Sequence, residues 1–169
     1  MLCACAEDRS HVLKVYNWAD YIDEDVLANF PKWYEQQTGE KVRVIYQTFD
    51  INEIMLTKIE RGHEDYDVVC PSEYIIERML RKDLLLPIDT AFGRTPNFIK
   101  NVSPYITRQI DATSSNGRVA RRYAVGYMWG TCGILYNKQR VPLKDAQTWG
   151  TLWNPRYRRQ LLMKDSYRD

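Results

Sequence analysis

The sequence is short of the residues that build metal, redox and nucleotide sites. It has only two histidines and four cysteines, and no two cysteines form a CxxC pair, so zinc and dithiol chemistry have no support. It contains neither a Walker A loop nor a GxGxxG sequence, the usual anchors of nucleotides. No window approaches about eighteen consecutive apolar residues, the length that a membrane-spanning helix needs. These absences predict a globular protein that holds no metal and no cofactor.

What is present is an ordinary globular composition with unevenly distributed charge. The 169 residues are 44% hydrophobic and 27% charged, with a net charge of +2. Residues 1–90 carry 10 Lys and Arg against 18 Asp and Glu, whereas residues 91–169 carry 14 against 4. A negative region of this kind attracts cations. The basic clusters Arg118–Arg122 and Arg156–Arg159 lack a repeating aromatic platform, so we interpret them as solvated faces rather than a nucleic-acid surface.

Periodicity predicts alternating strands and helices in the first half of the chain. Strands are expected at 11–16, 41–46 and 66–70, and helices at 23–38, from the 49–52 turn to about 60, and at 73–81. Pro31 is expected to kink or divide the first helix. Two strands joined near Gly130 are expected over 119–137, and another at 161–163. The early alternation is typical of an α/β fold with a mainly parallel sheet.

The turn that follows the first predicted strand is the main candidate for a site. It contains Trp18, Asp20 and Tyr21. Ligands of open parallel sheets bind beyond the carboxyl ends of the strands, and two aromatic rings with a carboxylate suit a small cation. Core packing of the two rings and helix capping by Asp20 are the alternatives that the residues alone leave open. For Asp23–Asp25, capping and the helix dipole are the preferred interpretation.

The cysteines suggest packing and, at the amino terminus, lipidation. Cys70 and Cys132 lie in apolar runs and are expected to be buried, inert thiols. An enzyme would need one of them beside His63, which is expected at the opposite end of the strand from Cys70. The segment Leu2-Cys3-Ala4-Cys5 resembles the lipobox of bacterial lipoproteins, which makes Cys5 the lipidation candidate and residues 1–11 a tail or linker. An untethered tail is the alternative.

Five segments, residues 16–21, 66–74, 127–131, 149–157 and 161–169, together carry a family resemblance. In this order they resemble the periplasmic spermidine/putrescine-binding proteins of bacterial ABC importers. The resemblance extends from about residue 12 to the end of the chain, and implies a type II periplasmic-binding-protein fold, the Venus flytrap, in which two α/β lobes close on a polyamine. Residues 12–129 would form the first lobe and residues 130–169 the beginning of the second.

The same resemblance implies a function and a site. The function is the periplasmic capture of putrescine or spermidine and its delivery to a membrane permease, without catalysis. Without the resemblance, Ser72 and Tyr74 would be assigned to capping and packing. The alternatives are another small cationic or organic ligand, or a structural role in which the chain self-associates through an open sheet edge. The positions that match the family's pocket are Trp18, Asp20, Tyr21, Ser72, Tyr74 and Asp169.

Overall fold

The computed structural model describes residues 9–62, 64–88 and 102–163. Cys5, His63 and Asp169 therefore lie outside the described residues. The chain divides into two compact units, Met1–Tyr127 and Met128–Asp169. The lobe boundaries implied by the resemblance stay predictions. No helix in the described ranges is long and apolar enough to cross a membrane.

The first unit contains a small parallel sheet and the longer helices of the chain. All of its elements precede residue 123, and the predicted strand–helix alternation is confirmed as far as residue 81. Its strands are β1 (Val12–Trp18), β2 (Arg43–Phe49) and β3 (Val68–Val69), and its α-helices in the described ranges are α1 (Glu24–Thr38), α2 (Asn52–Gly62), α3 (Glu73–Arg81) and α4 (Pro104–Ala112).

The sheet has the order β2-β1-β3, and both pairings are parallel. Trp18 lies opposite Phe49 and Tyr16 lies opposite Val69. Parallel strands end at the same edge of a sheet, so the segments that follow Trp18, Phe49 and Val69 all emerge at one edge. We call this the carboxyl edge, and the opposite one the amino edge.

Helix α1 begins and ends as its sequence predicts. The carboxylate of Asp23 caps it by accepting a hydrogen bond from the backbone N–H of Asp25 at 2.8 Å. Gly39 ends it with φ +77°, a left-handed conformation that a glycine adopts without strain. The helix runs past Pro31 without interruption. The expected division at Pro31 is therefore wrong.

The core lies between the sheet and helices α2 and α3. The buried side chains of Met55 and Leu56 from α2 and of Ile75 and Met79 from α3 form one cluster with Tyr16 and Phe49. Each such fully buried side chain stabilises the fold by roughly 1.5–3 kcal/mol relative to an exposed one. The core thus fixes the two helices whose amino ends lie at the carboxyl edge.

The strands expected over 119–137 and at 161–163 are absent from the described residues. Residues 120–122 form a 3-10 helix, and residues 124–137 have no regular secondary structure. An apolar alternation forms a strand only where a neighbouring strand supplies hydrogen bonds, and within the described ranges none does so here. The backbone makes isolated contacts instead, such as the bond from the Ile88 N–H to the Arg122 carbonyl at 2.7 Å.

The second unit contains short helical turns. Helix α5 (Leu143–Ala146) is followed by 3-10 helices at Trp149–Trp153 and Pro155–Tyr157. The buried Tyr157 donates a hydrogen bond to Asp145 at 2.6 Å. This bond, together with burial, raises the pKa of the tyrosine.

Two expectations about individual side chains are wrong. Cys132 is exposed rather than buried, because the strand that would have covered it does not form. Arg118 is half-buried rather than on a solvated face. It donates to the Leu80 carbonyl at 2.7 Å and pairs with Asp83 at 2.6 Å, so it secures the carboxyl end of α3.

Candidate functional site

The aromatic turn predicted from the sequence stands at the carboxyl edge. The Trp18 ring lies 4.6 Å from the Phe49 ring and 6.0 Å from the Tyr21 ring, measured between centroids. Phe49 is buried and Trp18 half-buried, whereas Tyr21 is 45% exposed. Trp18 therefore packs against the core through Phe49, and on its other side it contacts the exposed ring of Tyr21.

Asp20 is held in an unusual conformation within this turn. Its φ is +62°, in the left-handed region that few residues other than glycine, asparagine and aspartate enter readily. Its carboxylate is exposed and has no hydrogen-bond or ion-pair partner among the described residues. The helix-capping alternative is therefore wrong for Asp20, since Asp23 caps α1.

Polar groups beneath the turn hold its backbone. The amide of Asn17, which is 1% exposed, accepts a hydrogen bond from the Trp18 N–H at 2.8 Å. The Tyr127 hydroxyl donates to the Tyr21 carbonyl. Burial raises the pKa of the Tyr46 and Tyr127 hydroxyls, and the Asn17 side chain partly offsets this increase in both. Asn17, Tyr46 and Tyr127 are site residues that the sequence interpretation missed.

A second polar group joins the amino ends of α2 and α3 at the same edge. Asn52 Nδ2 donates to Ser72 Oγ at 2.9 Å and to the Tyr74 hydroxyl at 3.1 Å. Asn52 Oδ1 accepts from the Ser72 N–H at 3.2 Å. The Tyr74 hydroxyl in turn donates to Glu53 Oε1 at 3.0 Å. Asn52 and Glu53 were not predicted, although polar residues directly after a parallel strand are a signal for this edge.

The predicted residues thus fall into two groups at one edge. Trp18 and Tyr21 are in ring contact and share their turn with Asp20, and Ser72 and Tyr74 are joined through Asn52. Ser72 occupies the cap position of α3 without a side-chain capping bond. Asp169 lies outside the described residues, and the ligand-binding role of all six residues stays a prediction.

The amino edge has a different electrostatic character. Arg9 pairs with Asp65 and lies 3.4 Å from Asp67, while Lys14 lies 3.4 Å from Asp65. Burial raises the pKa of Asp65, but the charges of Arg9 and Lys14 lower it by a larger amount. The pKa of Asp65 is therefore below its ordinary value. Lys58 pairs with Glu64 at 3.4 Å. The carboxylates named here are all matched by cations.

A shallow open groove of about 270 Å³ also lies at the amino edge. His11, Tyr34 and Asp67 are among its lining residues, and it contains no predicted site residue. The chemistry for a cation lies instead at the carboxyl edge, where Asp20 and Glu53 have no cationic partner in the described part of the chain. Aromatic faces beside unmatched carboxylates can hold an organic ammonium group. No group of three potential metal ligands occurs within the described ranges.

Comparison with proteins of known sequence gives a consistent picture. The chain is 30% identical to the spermidine/putrescine-binding periplasmic protein of Escherichia coli over 99% of its length, which is 44% of that protein. It is 35% identical to a putrescine-binding periplasmic protein of the same species over 76% of its length and 31% of the relative. The chain therefore spans less than half the length of these relatives.

Solved structures agree with this comparison. A spermidine/putrescine transporter substrate-binding protein of Streptococcus pneumoniae is 38% identical, with a TM-score of 0.63 over 88% of this chain and 41% of that one. A putative spermidine/putrescine transporter protein of Listeria monocytogenes is 41% identical, with a TM-score of 0.66 over 86% and 41%. These likenesses confirm the predicted fold class, a periplasmic-binding-protein-like α/β fold.

A family match completes the assignment. Residues 65–168, which include β3, α3 and most of the second unit, match the family described as bacterial extracellular solute-binding protein. This range covers more than half of the chain. Together with the sheet order and the polar carboxyl edge, it shows that this protein belongs to the bacterial extracellular solute-binding proteins.

Proposed function

We propose that this chain contributes to the binding of a polyamine, putrescine or spermidine, as part of the extracytoplasmic component of an ABC importer. Relatives named for spermidine and putrescine binding support the ligand class. In this proposal Trp18, Asp20 and Tyr21 form one wall of the binding cleft. Ser72, Tyr74 and Asp169 complete the contribution of this chain.

One observation carries the proposal, namely that the carboxylate of Asp20 is exposed at the carboxyl edge, in the same turn as the Trp18 and Tyr21 rings, which are in contact. An alkyl diammonium has a charge at each end and methylenes between them. Aromatic faces receive both the methylenes and the adjoining charge, and each cation–π contact stabilises the complex by roughly 0.5–2 kcal/mol. A carboxylate such as Asp20 supplies the countercharge that an ammonium group needs once it leaves water.

The partner and the location follow from the same proposal. A solute-binding component of an importer works outside the cytoplasm and delivers its ligand to a membrane permease. A lipid on Cys5 would hold it at the membrane surface. Labelling with a radioactive fatty acid, with Cys5→Ser as the control, tests the anchor; equal labelling of both proteins would exclude Cys5 as its site.

The proposed function is binding without catalysis. Burial raises the pKa of the Cys70 thiol from 9.0 to about 11, so the nucleophilic thiolate is scarce at neutral pH. A nucleophilic cysteine needs the opposite shift. Alkylation of the thiols that leaves polyamine affinity unchanged is the expected result, and loss of binding on alkylation would favour a functional thiol.

Calorimetric titration of putrescine and spermidine tests the proposal. We would use the 169-residue chain and a chimera in which it is followed by the part of the Listeria protein that it does not span. We expect weak or absent binding by the chain alone and clear binding by the chimera, because a two-lobed cleft encloses its ligand from both sides.

The matched ligand control is 1,4-butanediol, which keeps the length of putrescine and lacks its charges. Binding of putrescine but not of the diol supports a site built for a diammonium. A chimera that is indifferent to every polyamine, while its circular dichroism shows it folded, would refute the functional proposal.

A further inference from the structure

Asn52 is a fully buried polar residue that is hydrogen-bonded to two of the predicted ligand-binding residues. Its exposure is 0%, so its amide has exchanged water for protein partners on both atoms. Its partners include Ser72, the cap residue of α3, and Tyr74 within that helix, which lie twenty or more residues further along the chain. Asn52 therefore connects the amino end of α2 to the amino end of α3.

The backbone of Ser72 determines which way the Asn52 amide faces. A backbone N–H can only donate, so the atom that it contacts at 3.2 Å must be the Asn52 oxygen. The Asn52 nitrogen then faces Ser72 Oγ and the Tyr74 hydroxyl, and it donates to both. This arrangement leaves no choice of amide orientation.

The fixed amide in turn determines where the Tyr74 proton points. The Tyr74 oxygen accepts from Asn52, so its single proton is directed to the Glu53 carboxylate at 3.0 Å. Glu53 has no cationic partner among the described residues. The result is a phenol and a carboxylate held together with defined polarity at the carboxyl edge.

We propose that Asn52 is a positioning residue that orients Ser72 and Tyr74 to receive the ligand. This inference rests on the proposed function, because it assumes that those two residues contact a polyamine. Asn52 acts through its neighbours, so its effect on affinity depends on their hydroxyl groups. Loss of the amide lets the Tyr74 hydroxyl rotate and releases the link between α2 and α3.

A double-mutant cycle in polyamine affinity tests this dependence. Asn52→Ala is made in the otherwise unchanged chimera and in a background that carries Ser72→Ala and Tyr74→Phe. We expect affinity to fall about tenfold in the first and less than about twofold in the second, because the background lacks the groups that Asn52 orients. An equal loss in both proteins would overturn the proposal, since it would show a general structural effect.

A second measurement does not depend on polyamine binding. The ¹³Cζ resonance of Tyr74 in tyrosine-labelled 169-residue chain is identified by its disappearance in Tyr74→Phe. We expect Asn52→Ala and Asn52→Asp to shift it without ligand, whereas Trp33→Ala on α1 leaves it in place. An unchanged Tyr74 resonance in both Asn52 variants would overturn the inference.

The two measurements separate the inference from the proposed function. If no polyamine binds the unchanged chimera, the proposed function fails, and the resonance alone decides whether Asn52 orients Tyr74. If Asn52→Ala does not fold, Asn52→Asp replaces it in the cycle. That variant keeps the size of the side chain and an acceptor for the Ser72 N–H, but it cannot donate to either hydroxyl.

Discussion

The two edges of the small sheet use their carboxylates differently. At the amino edge Asp65, Asp67 and Glu64 are matched by Arg9, Lys14 and Lys58. At the carboxyl edge Asp20 and Glu53 have no cationic partner in the described ranges. Negative charge is thus paired within the folded structure at one edge and lacks a cationic partner among the described residues at the other.

This difference separates stability from binding in the same unit. Removing a matched carboxylate leaves a partly exposed cation without its partner and weakens the fold slightly, by up to about 1 kcal/mol. Under the proposed function, removing an unmatched one leaves the fold intact and takes a countercharge from the ligand. Substitutions of carboxylates at the two edges should therefore change different measurable quantities, and the following experiments test that separation.

The largest effect is expected for Trp18→Ala. The substitution removes ring contacts with Phe49 and Tyr21, and with them a cation–π surface for the ligand. We expect polyamine affinity of the chimera to fall about 30-fold, equivalent to about 2 kcal/mol, and the free energy of unfolding to fall by about 2 kcal/mol. Calorimetry and urea titration measure the two quantities.

The control for this variant is Trp33→Ala on α1. Trp33 is 50% exposed and is in ring contact with Phe30 on its own helix, away from the carboxyl edge. Its loss should leave affinity unchanged. Equal losses of polyamine affinity in Trp18→Ala and Trp33→Ala would contradict the assignment of ligand binding to the carboxyl edge.

Next in size is Asp20→Asn. Asparagine tolerates the left-handed backbone of this position, so the substitution changes charge with little strain. We expect affinity to fall about tenfold at low salt, with a smaller difference at high salt, and the free energy of unfolding to stay within about 0.5 kcal/mol of the original.

Asp67→Asn at the amino edge is the matched substitution. Asp67 accepts from the Lys14 N–H at 2.7 Å and lies 3.4 Å from Arg9; asparagine keeps an acceptor oxygen but loses the charge, so the free energy of unfolding should fall by up to about 1 kcal/mol. Polyamine affinity should not change. A loss of affinity here, or of stability in Asp20→Asn, would contradict the assignment of the two edges.

Acid should weaken the amino edge. Hydrogen bonding from Tyr66 and the charge of Lys58 lower the pKa of Glu64 below its ordinary 4.5. The pKa of Asp65 likewise lies below its ordinary 3.8. A carboxyl group whose pKa is lower in the folded than in the unfolded protein stabilises the folded state at pH values above the unfolded pKa. This stabilisation is lost as the pH falls through the folded pKa.

Urea titration at a series of pH values checks this expectation. The stability difference between the original chain and a Glu64→Gln, Asp65→Asn double variant should be present at neutral pH and decline below about pH 4.5. A difference that is constant with pH would show that these carboxylates do not act through their charge.

The smallest effect on binding is expected for thiol modification. With its pKa at about 11, Cys70 should react slowly with iodoacetamide at pH 8, whereas the exposed Cys132 should react faster. Peptide mapping by mass spectrometry distinguishes the two sites. Rapid modification of Cys70 would show that the carboxyl edge opens more readily than its burial indicates.

The sequence predicted best the elements whose causes are local. The strand before Trp18, the Asp23 cap and the Gly39 end of α1 each depend on neighbouring residues, and each is confirmed. The expected strands over 119–137 are wrong because a strand also needs a partner, which alternation alone does not reveal.

The candidate site shows the same limit. Trp18, Asp20 and Tyr21 could be proposed together because they share one turn. Asn52 could not be joined to Ser72 and Tyr74 by pattern, since the contact depends on two helices being placed side by side by the core. Its importance becomes visible only through burial and hydrogen-bond direction.

The left-handed backbone at Asp20 also bears on how selectivity can evolve. The position accepts aspartate, asparagine and glycine far more readily than other residues. Aspartate and asparagine codons differ by a single nucleotide, and the exchange removes one charge while keeping the shape of the turn. Under the proposed function, ligand preference at this edge can therefore change in one mutational step that leaves the core untouched.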